Sequence, residues 1–63
     1  MKLKVYRTNA GLTQAALSDK SGVNLQMIQK YEQGIKDIKK ASGETLLKLS
    51  KVLGCSMEDL MHD

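Results

Sequence analysis

The stretch between residues 13 and 34 constrains the fold most, because it contains two short helical patterns separated by one sharp turn. Thr13 is a suitable N-cap for the first helix, since its side-chain oxygen is able to accept a bond from an otherwise unpaired backbone N–H. Gly22 stands where the chain must reverse, and a positive φ costs glycine least. Asn24 is placed to cap a second helix, which Gly34 ends. Two helices joined by a short turn that contains glycine form the helix-turn-helix motif.

Hydrophobic spacing predicts three more helices around this motif and therefore an all-α protein. We expect helices at residues 2–10, 13–21, 25–33, 43–53 and 57–62. The positions expected to face the core are Leu3, Tyr6, Arg7, Ala10, Leu12, Ile28, Tyr31, Leu46, Leu49, Ser50, Leu53, Leu60 and Met61. Residues 35–43 form a connection that contains three lysines. We expect Ile38, and with it Ile35, to pack against the core. Residues 37–41 are compatible with a helical turn. Ser56 and Asp59 resemble a capping box.

Composition narrows the classes of protein that the chain is able to form. With 63 residues it is near the lower limit for an independent core, so we expect one domain that covers residues 1–63. The net charge of +3 and the sequence pI near 9.2 permit a nucleic-acid partner. The single cysteine excludes an internal disulfide and a cysteine-based zinc finger, and it favours a reducing compartment. No apolar run approaches the ~20 residues of a membrane span. We therefore predict a cytoplasmic protein.

The sequence offers little chemistry for catalysis. Its only histidine, His62, lies next to the C-terminus, and no carboxylate pair, glycine-rich phosphate loop or Ser/His/Asp set is apparent. Cys55, Glu58, Asp59 and His62 lie close together in sequence, but a structural zinc site needs four good ligands. We interpret these four as surface or small core residues. The prediction is a protein without enzyme activity, cofactor, metal or small-molecule ligand.

From Leu3 to Met61 the sequence resembles the Cro/phage-repressor-like (XRE) helix-turn-helix family of bacterial and phage DNA-binding regulators. The matching segments are GLTQ at 11–14, Leu17, SGV at 21–23, Ile28, YEQG at 31–34 and L..LSKVLGCS.EDL at 46–60. The resemblance implies a compact five-helix bundle of the lambda-repressor-like type, whose third helix lies in the major groove of double-stranded DNA. It also implies a sequence-specific transcriptional regulator, with a repressor as the first hypothesis.

The resemblance further assigns roles to individual residues. The implied DNA-contacting set is Gln14, Asn24, Leu25, Gln26, Gln29, Lys30, Gln33, Lys36, Lys39 and Lys40. Gln14, Gln33 and the last three lysines match phosphate contacts that set register, whereas the others match the groove-facing side of the third helix. Arg7 and Glu32 match an ion pair between the first and third helices, which accounts for an arginine on an apolar stripe. Leu25 departs from the family pattern, because its groove position is more often polar.

Each of these assignments has a plainer alternative. The polar side of the third helix is also consistent with a solvated surface, and the lysines with solubility. Four apolar side chains are candidates for the contact surface of a homodimer on a pseudo-palindromic site, or else form the edge of the core: Leu47, Val52, Met57 and Met61. The competing function is a protein-interaction module on the same fold, such as an antitoxin-like or anti-repressor partner, with Leu25 and Met27 as apolar contacts. A third alternative is non-specific nucleic-acid binding.

Overall fold

Local capping chemistry sets the helix boundaries in the computed structural model, which describes residues 2–62. The elements are α1 (Lys2–Asn9), α2 (Gln14–Ser21), α3 (Leu25–Glu32), a 3-10 turn (Ile38–Lys40), α4 (Gly43–Leu53) and α5 (Met57–Met61). No strand occurs in the described chain, and the predicted all-α class with five helices is confirmed. The helices α1, α3 and α5 each end one residue earlier than predicted.

Side-chain caps explain where α2, α4 and α5 begin. The Thr13 hydroxyl accepts from a backbone N–H in the first turn of α2 at 3.0 Å. The Ser42 hydroxyl accepts from the N–H of Thr45 at 3.1 Å. Ser56 and Asp59 form a reciprocal capping box, in which each side chain accepts from the other's backbone N–H at 3.0 Å. Because these bonds satisfy donors that the helix itself leaves unpaired, the predicted caps fix the starts of three helices.

The turn between α2 and α3 is held by one glycine and two serines. Gly22 has φ +76°, and its N–H donates to the Ser18 carbonyl at 2.9 Å. The Ser18 hydroxyl donates across the turn to the Val23 carbonyl at 2.6 Å. The Ser21 hydroxyl donates to the Leu17 carbonyl at 2.6 Å and accepts from the Val23 N–H at 3.1 Å. These bonds pair the polar groups of the turn, so they fix how α3 leaves α2.

Replacing Gly22 with alanine tests this left-handed turn. A Cβ at Gly22 would have no atom of a non-neighbouring residue within 4 Å, so the cost is that of the backbone conformation alone. We expect Gly22→Ala to lower the free energy of unfolding by about 1–2 kcal/mol. Gly22→Asn should lower it by less, because asparagine adopts this region more readily. Urea denaturation followed by circular dichroism measures both variants, and wild-type stability in Gly22→Ala would contradict a required positive φ.

One fully buried aliphatic side chain from each helix meets at the centre of the fold. These side chains are Leu3, Leu17, Ile28, Leu49 and Leu60. Complete burial of a leucine or isoleucine side chain contributes about 1.5–3 kcal/mol, so these residues are the main source of stability in so short a chain. Tyr31 of α3 is buried beside them. Because α3 packs inwards through Ile28 and Tyr31, its opposite side is left towards solvent.

Ile35 does not pack against the core as predicted, since 68% of its surface is exposed. Gly34 ends α3 with φ +78°, and the Ile35 N–H turns back to the Lys30 carbonyl at 2.9 Å. This is the hydrogen-bond pattern of a Schellman turn, in which the chain leaves the helix axis abruptly. Ile35 is thereby placed outside the core, while Ile38, three residues later, is buried.

Two other positions predicted to face the core are exposed. Ala10 lies beyond the last residue of α1, in the turn that follows it, so the inward stripe of α1 ends before it. Met61 is exposed because its neighbour Leu60 is fully buried, and successive residues of a helix point about 100° apart. Both predictions were wrong because they extended an inward-facing stripe to the last residue of a helix or beyond it.

Candidate nucleic-acid interface

The side of α3 that faces away from the core is polar. Gln26 and Lys30 are exposed and four residues apart, so their side chains lie next to each other on the helix surface. Gln29 is half-buried beside them, and Leu25 is half-buried at the start of the helix. This face offers two side-chain amides and one ammonium group, all of which are able to donate hydrogen bonds.

Asn24 and Gln33 mark the two ends of this face, and both are exposed. Asn24 is the N-cap of α3, and its Oδ1 accepts from the N–H of Gln26 at 2.8 Å. Because the oxygen faces the helix, the Asn24 amide nitrogen is left to donate outwards. Gln33 is the C-cap, and its backbone N–H donates to the Gln29 carbonyl at 2.9 Å. The two caps therefore place a polar side chain at each edge of the face.

A buried ion pair joins α1 to the end of α3. Arg7 Nε donates to Glu32 Oε2 at 2.7 Å, and Arg7 Nη2 donates to Glu32 Oε1 at 2.9 Å. The two side chains are only 11% and 4% exposed. Arg7 Nη1 also donates to the Leu12 carbonyl at 2.8 Å, in the connection between α1 and α2. Hydrogen bonding to Glu32 raises the pKa of Arg7, although burial opposes this, so the guanidinium stays charged.

Gln14 extends this network to the start of α2. Its Nε2 donates to Glu32 Oε1 at 3.2 Å, so the Glu32 carboxylate accepts from side chains of both α1 and α2. The contact turns the half-buried Gln14 amide so that its nitrogen faces Glu32, and one further N–H remains on that nitrogen. The sequence pattern does not predict this bond, because it depends on how α2 packs against α3.

The segment after α3 concentrates positive charge. Lys36, Lys39 and Lys40 are all exposed. Asp37 begins the 3-10 turn, and its Oδ1 accepts from the Lys39 N–H at 3.0 Å. A shallow depression of about 220 Å³ lies at this end of α3. It is lined by Tyr31, Lys36, Asp37, Lys40 and Ala41. The polar face of α3 is therefore followed directly by a cationic surface.

A family model for helix-turn-helix domains matches residues 3–60, which include the whole α2–turn–α3 motif. The chain belongs to the Cro/phage-repressor-like (XRE) helix-turn-helix family. It is thus a DNA-binding regulator of the helix-turn-helix type, from a family that is generally not enzymatic. The resemblance stated from the sequence is confirmed. No curated protein and no solved structure gives a significant match to the chain.

The described part of this XRE protein has neither a membrane-spanning helix nor a cluster of metal ligands. Within residues 2–62, no helix is long and apolar enough to cross a membrane. Over the same range, no three side chains of His, Cys, Asp or Glu are arranged to hold a metal ion. Cys55, in the segment considered above for zinc, is half-buried and packs against the core.

The apolar candidates for a dimer surface divide into two groups. Leu47 of α4 and Met61 of α5 are exposed, whereas Val52 and Met57 are half-buried and pack against the core. Val5 of α1 is exposed as well and was not among the candidates. Of the four candidates, Leu47 and Met61 are therefore the two that are exposed.

Proposed function

We propose that this XRE protein binds duplex DNA sequence-specifically and acts as a repressor by occupying its binding site, with residues 1–63 serving as one DNA-binding domain. The observation that carries the proposal is the two-sided character of α3. One side is buried through Ile28 and Tyr31, and the other presents Gln26, Gln29 and Lys30. A major groove about 12 Å wide admits one α-helix and displays base identity as donor and acceptor patterns. We therefore assign α3 to the groove.

The residues on the outer face of α3 suit direct contacts with base edges. A glutamine amide is able to pair with adenine N6 and N7, and an ammonium group with guanine O6 and N7. We assign the first role to Gln26 and Gln29 and the second to Lys30. Leu25 suits an apolar contact, such as a thymine methyl group. Asn24 presents its amide nitrogen at the edge of the groove, where it is able to donate to an acceptor on a base or a phosphate.

Five polar residues around this face are assigned to the phosphate backbone. Backbone contacts position the protein and carry no sequence information directly. The assigned residues are Gln14, Gln33, Lys36, Lys39 and Lys40. Gln14 is supported by its contact with Glu32, which holds the amide beside the last residue of α3. The lysines are supported by their exposure directly after α3.

We propose that the protein binds as a homodimer on a pseudo-palindromic site. A single domain contacts one half-site, and two half-sites read from the same side of DNA lie about 34–36 Å apart. Leu47 and Met61 are the proposed contacts between the two copies, because both are exposed on α4 and α5. Val52 and Met57 contribute less in this proposal, since they already pack against the core.

Selection from a pool of random duplexes at moderate salt tests this function. We expect an enriched inverted repeat whose half-sites are about 10–10.5 base pairs apart, because that spacing places both copies of α3 on one side of the DNA. Binding without enrichment would contradict sequence specificity and leave electrostatic, non-specific binding. Absence of binding even at low salt would instead favour a protein partner that contacts Leu25. Met27 suits such a partner poorly, because it packs against the core.

A further inference from the structure

The depression at the end of α3 is lined by three residues that have no role in the DNA contacts assigned above: Tyr31, Asp37 and Ala41. Its volume of about 220 Å³ lies below the roughly 300–1,000 Å³ of sites for drug-sized ligands. It lies between the last turn of α3, which supplies Tyr31, and the 3-10 turn, which supplies Lys40. Lys36 belongs to the connection between these two elements. A depression of this size suits a small chemical group rather than a whole metabolite.

Tyr31 is the buried member of this depression. Only 4% of its surface is exposed, and it belongs to the hydrophobic core. Its hydroxyl has no hydrogen-bond partner among the described residues, although every fully shielded side-chain polar atom in that part of the chain has one. The hydroxyl of Tyr31 is therefore not fully shielded from solvent, and Tyr31 is one of the residues that line this depression. A buried tyrosine normally pairs its O–H, so this one is left able to donate to a ligand.

The charges around the hydroxyl favour an anion. Lys36 and Lys40 are exposed, and neither forms an ion pair within residues 2–62. Asp37 is the one carboxylate of the lining, and its Oδ1 is held against the backbone N–H of Lys39 at 3.0 Å. The lining thus contains two lysines and one carboxylate, which already caps the 3-10 turn. The lining as a whole is cationic, and Tyr31 adds a neutral hydroxyl donor to it.

We propose that Tyr31, Lys36 and Lys40 together bind one phosphate group, and that this phosphate belongs to the DNA backbone next to the groove occupied by α3. The Tyr31 hydroxyl donates to one phosphate oxygen, and the two ammonium groups neutralise the charge. Tyrosine and lysine side chains both make phosphate contacts in protein–DNA complexes. This inference rests on the proposed binding of DNA, and it adds Tyr31 to the interface as a residue that sets position rather than sequence preference.

Tyr31→Phe tests the assignment, because it removes the hydroxyl and keeps the buried ring. Binding is measured by fluorescence anisotropy with two labelled duplexes, one carrying the selected site and one of random sequence. A lost hydrogen bond to a charged group corresponds to roughly tenfold weaker binding. We expect that loss on both duplexes, since a phosphate contact is blind to sequence. The matched control is Tyr6→Phe, which changes the half-buried tyrosine of α1 and should bind both duplexes like wild type.

The salt dependence of binding separates the hydroxyl from the lysines. Each neutralised phosphate makes log K fall by about 0.9 per log unit of salt. We expect Lys36→Gln and Lys40→Gln each to reduce this slope, and their combination to reduce it by about 0.9 for the one shared phosphate. Tyr31→Phe should leave the slope unchanged, because the hydroxyl is neutral. A slope that stays at the wild-type value in the combined lysine variant would overturn their part in the site.

The remaining outcomes are equally decisive. Wild-type affinity in Tyr31→Phe would overturn the assignment of Tyr31, even if random-pool selection had established a specific site. Equal losses on both duplexes support it, even if the wild-type protein shows no sequence preference and the proposed function fails. Titration with inorganic phosphate, followed by the backbone amide resonances of residues 36–41, tests the other source. If these resonances shift to saturation with added phosphate, and if Tyr31→Phe binds DNA like wild type, the depression binds free phosphate and the assignment to a DNA phosphate is overturned.

Discussion

Replacing Glu32 with alanine is expected to lower the free energy of unfolding by about 3–5 kcal/mol, because it leaves a buried charge without a partner. The Arg7 side chain is 11% exposed and donates two hydrogen bonds to the Glu32 carboxylate. Gln14 would lose its partner at the same time. A core of this size rarely supplies more than about 3–5 kcal/mol in total. Glu32→Ala should therefore leave most molecules unfolded.

Thermal and urea denaturation followed by circular dichroism measure this effect. The matched control is Glu44→Ala, which breaks the exposed pair between Glu44 and Lys48 on α4. We expect the control to change stability by only about 0.3–0.5 kcal/mol. Glu32→Gln keeps the shape and one carbonyl acceptor, so its stability should lie between those of wild type and Glu32→Ala.

A double replacement shows whether the loss of stability comes from an unpaired buried charge or from the loss of the contact itself. In Arg7→Met with Glu32→Leu, no unpaired charge remains, and such exchanges of buried pairs are often neutral or stabilising. We expect the double variant to be more stable than Glu32→Ala. Equal stability of the two would contradict an uncompensated charge as the cause of the loss. Wild-type stability in Glu32→Ala itself would contradict a structural role for the pair.

Features that depend on neighbouring residues could be predicted from the sequence. Thr13, Ser42 and the Ser56–Asp59 box begin their helices as expected, because a cap needs only a residue and the N–H two or three positions later. Gly22 turns the chain with a positive φ for an equally local reason. The class of fold follows from these signals and from hydrophobic periodicity, which together predict every end of the five helices to within one residue.

Features that depend on packing could not be predicted in this way. The exposure of Ile35 follows from the Schellman turn at Gly34, whose direction the apolar spacing of Ile35 and Ile38 does not encode. The contact between Gln14 and Glu32 joins residues 18 positions apart in sequence, so it appears only when α2 lies against α3. The apolar spacing predicts that Tyr31 faces inwards, but it does not predict whether the Tyr31 hydroxyl finds a partner within the fold.

The DNA-contacting residues were carried over from the resemblance and remain predictions. The structure places six of them on or beside the outer face of α3, and it places Gln14 next to the ion pair at the end of α3. The six are Asn24, Leu25, Gln26, Gln29, Lys30 and Gln33. Exposure makes contact feasible but does not rank these side chains. Substitution of individual residues ranks their contributions.

Replacing Gln26 and Lys30 together with alanine should abolish the preference for the selected site while leaving the fold intact. Each good pair between a side chain and a base discriminates by about 1–3 kcal/mol. Loss of two such pairs corresponds to a fall of at least about 30-fold in the ratio of specific to non-specific affinity. Both side chains are exposed and belong to no ion pair or side-chain hydrogen bond within the described residues. The melting temperature should therefore stay close to that of wild type.

Competition between the selected duplex and a random duplex measures this ratio, and circular dichroism measures the melting temperature. The matched control is Lys51→Ala, which removes the same charge from an exposed position on α4 and should keep the ratio. The single variants Gln26→Ala and Lys30→Ala then show how much each residue contributes to the ratio. If Lys30→Ala weakens both duplexes equally, Lys30 contacts phosphate rather than guanine, and Gln26 alone reads a base.

Two results would contradict the assignment of the outer face of α3 to the groove. A large fall in melting temperature would mean that Gln26 or Lys30 stabilises the fold, which their exposure argues against. An unchanged ratio in the double variant would mean that discrimination arises elsewhere, with Gln29, Leu25 or the deformability of the DNA as the remaining sources. Substituting Gln29 and Leu25 in the double variant separates these, because readout through DNA shape would survive the loss of every base contact on α3.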